Sequence, residues 1–236
     1  MADARAEGQK VADDLARALK PAWRRVTDGE QRWPYGLAVL TIIVLQALLP
    51  ARLRIGPWWA LAAVEFALLV VLGAANPGRL NTRSRPLRIV SMVLIGAVSL
   101  GTAAGLATLI RGMLSGHSGD AGQLLATGAD VYVINILTFA VWYWELDRGG
   151  PVARAFADRQ TPDFLFPQMT AGDMAPKDWE PHFTDYLYLA FTNSTAFSPT
   201  DVLPFSRWAK MLMLAQSVVA LVVAALVVAK AVNALA

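Results

Sequence analysis

Residues 182–204 read HFTDYLYLAFTNSTAFSPTDVLP, and the fold turns on what this stretch does between two apolar neighbours. Its first part, HFTDYLYLAFTNST, is apolar but only about three turns long, well short of the ~20 residues that cross a ~30 Å hydrocarbon core. The polar run TNSTAFSPTD, Thr192 to Asp201, follows. Trp208 to Leu235 then continues without glycine or proline, long enough to span. Irregular backbone at membrane depth is tolerated only where protein buries it or where it lines water. A short helix, a polar loop and a long helix in that order predict a re-entrant helix rather than a simple hairpin.

Composition supports a membrane setting. Of 236 residues, 56% are hydrophobic and only 17% charged, outside the usual balance of a soluble domain. There is no cysteine, which excludes disulfides, thiolate zinc sites and cysteine nucleophiles. The formal charge of +3 is spread along the chain, so no basic face of the kind that grips nucleic acid is expected. The first thirty residues lack the pattern of a cleavable signal, and insertion is expected to rely on internal spans.

Outward from the opening stretch, the chain divides into four parts. Residues 1–33 hold an amphipathic segment, with Val11, Leu15, Leu19, Ala22 and Val26 at helical spacing opposite Lys10, Lys20, Arg24 and Arg25. It suits either the headgroup layer or packing on the rest of the protein. Residues 35–144 form a four-helix membrane region: Tyr35 to Leu49, Pro57 to Ala75 with a Trp pair at its start, Leu87 to Leu114, and Leu124 to Trp144 ending in WYW. Aromatic residues at span ends suit the membrane interface. In the third span Ala97, Gly101 and Gly105 recur every four residues, a small-residue stripe that lets a neighbouring helix approach closely. Residues 145–181 are a polar, acidic loop rich in proline and glycine, and 182–235 carry the short helix, loop and long helix. The fold class is therefore an all-α integral membrane protein with about five transmembrane helices plus one re-entrant helix and loop. No internal repeat of fixed period is evident.

The stretch Tyr188 to Pro204, YLAFTNSTAFSPTDVLP, resembles the pore of tetrameric potassium channels, which reads roughly Y-F-S-F-V-T-L-T-T-V-G-Y-G-D-I-V-P. Tyr188, Phe191, Thr195, Asp201 and Pro204 fall on identical letters without a gap. The resemblance covers about 50 residues and implies a pore helix, an ion pathway over Thr195, Ala196, Phe197, Ser198, Pro199, Thr200 and Asp201, and a homotetramer. The Asp-Tyr-Leu-Tyr start and the Ala-Val-Asn end also look similar to an uncharacterised bacterial family of multi-pass proteins.

The filter itself departs from the pattern. Potassium filters stack backbone carbonyls, and their two glycines take up angles that side chains resist. Here Ser198 and Thr200 occupy those positions. Thr200 is β-branched and disfavours positive φ, and Pro199 fixes its own φ and pushes Ser198 towards extended angles. A potassium-type carbonyl ladder is therefore not expected. Two readings stay open: a wider hydrated cation pathway rimmed by Asp201, or a non-conducting scaffold that retains the architecture. Asp201 taken alone also suits an N-cap on the following helix.

Two carboxylates, Glu65 and Asp130, fall within spans, where burial costs several kcal/mol unless they are paired, protonated or hydrated. They keep a third reading in view, a proton-coupled transporter using Glu65, with Arg88 and Arg111 as candidate partners. Helix packing by a hydrogen-bonded carboxyl is the plainer role for both. His117 and His182 sit in loops with no second ligand at metal spacing, so no metal or cofactor is expected. No G-x-S-x-G elbow, phosphate-cradling glycine loop or H-E-x-x-H occurs, and enzyme activity is not expected. Asp163, Asp173 and Asp178 read as solvated loop acids.

Orientation is contested within the sequence. The potassium-channel direction would put the N-terminus outside. The excess of Arg and Lys in the N-terminal segment and in the Pro77–Leu87 loop instead puts it inside, with the pore mouth facing the cytoplasm as in glutamate-receptor pores. The second arrangement is favoured. The expected location is the plasma (inner) membrane, with the bilayer, copies of the same chain and monovalent or other cations as partners.

Overall fold

The protein, as a computed structural model, is described over residues 20–50, 57, 59–76, 78–114, 121–196 and 201–235. It is all-α in class. The helices are α1 (Trp33–Leu48), α2 (Ala60–Ala75), α3 (Arg85–Leu114), α4 (Ala121–Leu146), the short α5 (Pro151–Ala155), α6 (Phe183–Ala196) and α7 (Arg207–Leu235). A two-residue ribbon is the one sheet among the described residues. It pairs β1 (Phe164–Leu165) with β2 (Leu203–Pro204), Phe164 opposite Pro204 and Leu165 opposite Leu203.

Helices α3 and α7 are long and apolar enough to cross a membrane, over Arg85–Gly112 and Arg207–Ala229. Only 28% and 22% of their most apolar windows are buried, so apolar side chains face outward, as hydrocarbon-facing surfaces do and soluble core helices do not. Helices α1 and α2 are also apolar but have 16 residues each, about 24 Å at 1.5 Å per residue.

Helix α4 is the centre of the bundle, packing against α1, α3, α6 and α7. It is also the helix that buries the most polarity: Thr127, Asn135, Thr138 and Glu145 are all nearly inaccessible. Polar groups are costly in hydrocarbon and cheap inside a bundle that can bond them, which places α4 away from the lipid-like surface. The helix contacts confirm the value of small residues. A methyl group at Gly101 would come within 2.7 Å of Gln46 Oε1 and of Leu61 Cδ2, and one at Gly128 would overlap Val227.

The C-terminal end of α4, the starts of α1, α3, α6 and α7, and the end of α2 meet in one polar layer, the cap. Arg32 donates to the Leu72 carbonyl and Arg88 to that of Gly149. Under the cap an aromatic cluster forms: Tyr35 stacks on Trp144 at 4.7 Å, and Phe183 meets Trp144 edge-on at 6.0 Å. Residues 1–19 of the amphipathic segment lie outside the described residues. At its end Ala22 and Trp23 are buried against the protein rather than turned outward.

Candidate functional site: a descending helix held by the cap

The direction of α6 follows from its contacts. Its first turn lies in the cap, with the Tyr186 hydroxyl donating to Asp147 Oδ2 at 2.6 Å. Its last turn is reached by Tyr132, whose hydroxyl donates to the Ser194 carbonyl at 2.8 Å. Tyr132 is fourteen residues before the end of α4, about 20 Å down that helix. By Leu203, seven residues after Ala196, the chain is again in the cap, paired with Leu165. Phe205 N then donates to the Asp163 carbonyl, and α7 starts beside it with Trp208 Nε1 donating to Asp163 Oδ1 at 3.0 Å.

Halfway down, one polar cluster ties α6 to its neighbours. Gln216 Oε1 accepts from the Tyr143 hydroxyl and from Asn193 Nδ2 at 2.8 Å, and Gln216 Nε2 donates to the Ala190 carbonyl and Ser194 Oγ, both at 2.8 Å. Asn193 Nδ2 also donates to the Met213 carbonyl. Gln216, Asn193 and Ser194 are all essentially inaccessible. The polar groups on the buried face of α6, Asn193 and Ser194, are thus matched inside the chain, beside buried Phe183, Tyr186 and Leu189, while Tyr188 and Phe191 face outward at 53% and 52% exposure.

The cap holds the upper end with ionised groups. Arg154 Nη2 pairs with Glu30 Oε1 at 2.6 Å, both nearly inaccessible, and Arg154 Nη1 donates to the carbonyls of Trp144 and Asp147. Asp147 accepts from Tyr186 and from the backbone N–H groups of Asp163 and Phe164. Burial pushes the Asp147 carboxyl above the usual carboxylate range, against the opposing pull of Arg154 and these donors. Burial alone would lower the Arg154 guanidinium, but Glu30 and Asp147 beside it outweigh that and hold it above its ordinary value. Arg148 has positive φ (52°), followed by Gly149 and Gly150 at 89° and 99°. Arg148 sustains this turn because its N–H is bonded to Asp163 Oδ2, and at Gly150 a methyl group would meet the Glu145 carbonyl at 2.8 Å.

The residues singled out by sequence fall as follows. Thr195 and Ala196 end α6 and are exposed, with Thr195 Oγ1 donating back to the Phe191 carbonyl at 3.0 Å. Phe197, Ser198, Pro199 and Thr200 lie outside the described residues. Asp201 is exposed, two residues before the ribbon. It does not cap α7: that helix begins at Arg207, and Ser206 Oγ accepts from Ala209 N instead. Glu65 is fully inaccessible, and neither of its oxygens has a hydrogen-bond partner; the proposed Arg88 partner is engaged in the cap. Asp130 is half-buried. Asp173 and Asp178 are exposed. Asp163 is not the solvated acid expected from its loop, since its carboxylate bonds Arg148 and Trp208. His182 is exposed, His117 lies outside the described residues, and no cluster of potential metal ligands occurs among the described residues. Sequence reading missed Gln216 and Asn193, a polar residue in each of two consecutive helices; their presence amid apolar runs was the available signal.

Comparison with protein-family models, with curated proteins and with solved structures finds no match for this chain.

Proposed function

We propose that this is a multi-pass inner-membrane protein of five spans, α1–α4 and α7, in which α6, the loop after it and α7 line a cation pathway between four copies of the chain. The observation that carries the reading is the course of α6, which starts in the cap, ends near Tyr132, and is followed within seven residues by the return to the cap at Leu203. The C-terminal end of a helix carries partial negative charge, so α6 would present its carbonyl end to a cation at depth. Asp201 would add a carboxylate at the mouth, where a ring of like charges favours cations. The wedge of α6 between α4 and α7, with its apolar face turned out of the protomer, leaves that face for lipid or neighbouring copies.

The basic residues support an inward-facing mouth. Arg79, Arg83, Arg85, Arg88, Arg148 and Arg154 all belong to the cap end, whereas Arg111 lies at the far end of α3. By the positive-inside rule the cap is cytoplasmic, and α6 enters from that side.

Two measurements test this reading. Native mass spectrometry from lipid-preserving extracts is expected to give a tetramer; a monomer or dimer removes the central pathway and leaves the scaffold reading, for which the internal pairing of Gln216, Asn193 and Ser194 already speaks. In reconstituted vesicles under a salt gradient, Asp201→Asn is expected to shift the reversal potential towards lower cation preference, and an unchanged potential overturns the role of Asp201. A proton-coupled transporter is the further reading, favoured by the buried, unpartnered Glu65 alone; it requires Glu65→Gln to abolish pH-driven uptake while assembly persists.

A further inference from the structure

At the edge of the cap, between the starts of α1 and α3 and the ends of α2 and α4, lies a half-open cavity of about 280 Å³. Four arginines line it, Arg32, Arg83, Arg85 and Arg88, against two acids, Glu145 and Asp158. The balance is therefore cationic. Three of the arginines have partners: Arg32 bonds the Leu72 carbonyl, Arg83 pairs with Asp158 at 2.6 Å, and Arg88 bonds the Gly149 carbonyl. The Arg85 side chain makes no hydrogen bond or ion pair with the described residues and is exposed at the first residue of α3.

Two further features point to a ligand. Tyr35 lines the cavity at 2% exposure, and its hydroxyl has no hydrogen-bond partner among the described residues; its polar neighbour Ser91 donates to Glu145 Oε2 at 3.1 Å. A buried hydroxyl left unsatisfied calls for an acceptor or water from outside the chain. Second, Arg85 and Arg88 also line an adjoining shallow groove of about 380 Å³, whose other walls are Ile89, Met92 and Val93 on the outer face of α3. Ile89 and Val93 are 56% and 52% exposed. A cationic cavity at the cap and an apolar groove running from it along a membrane-facing helix match the two ends of one molecule.

We propose that this cavity and groove hold an anionic phospholipid, its phosphate on Arg85 and Arg88 at the cavity mouth and an acyl chain along Ile89, Met92 and Val93. Guanidinium groups give short, charge-assisted bonds to phosphate oxygens, and basic pockets between helices on the cytoplasmic side recognise anionic headgroups. A free phosphate would use the arginines but leave the groove unexplained, so the lipid is the occupant to which the arrangement commits. Through Arg88 and Arg83, which also bond Gly149 and Asp158, the lipid would touch the α4–α6 connection that holds the descending helix.

The test uses the full chain in neutral detergent, titrated with phosphatidylglycerol or phosphatidylcholine and read by native mass spectrometry and thermal midpoint. Phosphatidylglycerol is expected to bind and raise the midpoint, and phosphatidylcholine to bind at least about ten-fold more weakly. Arg85→Gln is expected to weaken phosphatidylglycerol binding by about ten-fold while leaving the lipid-free midpoint unchanged, because Arg85 has no partner to lose. Arg111→Gln, which removes the same charge at the other end of α3, is expected to bind like the native chain. Equal binding of both lipids, or equal loss in both variants, overturns the site. Displacement of phosphatidylglycerol by inorganic phosphate or glycerol phosphate at similar concentration overturns the lipid and leaves a phosphate site.

Discussion

At the residue scale the decisive side chain is Gln216. Its amide is fully used: the oxygen accepts from Tyr143 and Asn193, and the nitrogen donates to the Ala190 carbonyl and Ser194. Replacing it by leucine keeps the volume but orphans buried polar groups on two helices, each at a cost of about 1–3 kcal/mol. Gln216→Leu is therefore expected to destabilise the protein by about 2–4 kcal/mol, read as a fall in thermal midpoint in detergent. A midpoint equal to that of the native chain would mean that α6 is held by the cap alone. Glutamine in an apolar helix was visible in the sequence; its four partners were not, because all four come from other helices. Asp163 makes the same point in reverse. A loop acid flanked by proline looks solvated, and only the folded ribbon brings Arg148 N and Trp208 Nε1 within reach of it.

At the element scale the helices themselves were legible, since long apolar runs and short polar connections need no partner to be recognised. Their contacts depend on small residues at particular heights. The stripe at Gly101 was readable from its four-residue repeat, and the close approach of Gln46 and Leu61 there follows. Gly128 carried no such repeat, yet α4 and α7 meet there so tightly that any side chain overlaps Val227. Gly128→Ala is expected to cost about 1–3 kcal/mol through overpacking, and Gly128→Ala with Val227→Ala to recover most of it. An additive double mutant in a thermal-midpoint cycle would show that the two residues do not touch. The region 145–181 looked like an acidic loop. In the structure it supplies α5, β1 and the residues that bond α6 and α7, because its prolines and glycines set the turns while Phe164 and Phe166 are buried beneath.

At the scale of the whole molecule, the cap gathers ionised and hydrogen-bonding groups at one end and the remaining helix surface is largely apolar. Exposed Trp33 at the start of α1 and Trp59 before α2 mark the two ends, at 65% and 57% exposure, as interfacial aromatics do. Orientation can be read directly because the chain has no cysteine. Met174, 88% exposed in the α5–α6 connection, and Arg111, exposed at the far end of α3, offer sites for labelling. With the cap cytoplasmic, Met174→Cys is expected to resist a membrane-impermeant maleimide on intact spheroplasts until lysis, and Arg111→Cys to react at once. The reverse pattern would place the mouth outside, in the direction of the potassium-channel pores.

The sequence by itself determined the class, the helices and the existence of a short helix before the last long one, because hydrophobic length and helix-breaking residues act locally. It also carried the argument against potassium-type filter geometry, through the backbone limits of Thr200 and Pro199. Only the tertiary structure decided that α6 runs from the cap towards Tyr132, that Asp147 holds its start and Gln216 its lower half, and that Arg32 shares one cavity with Arg83, Arg85 and Arg88. Those are meetings of residues far apart in the chain, set by how helices pack around α4, and no local pattern specifies them.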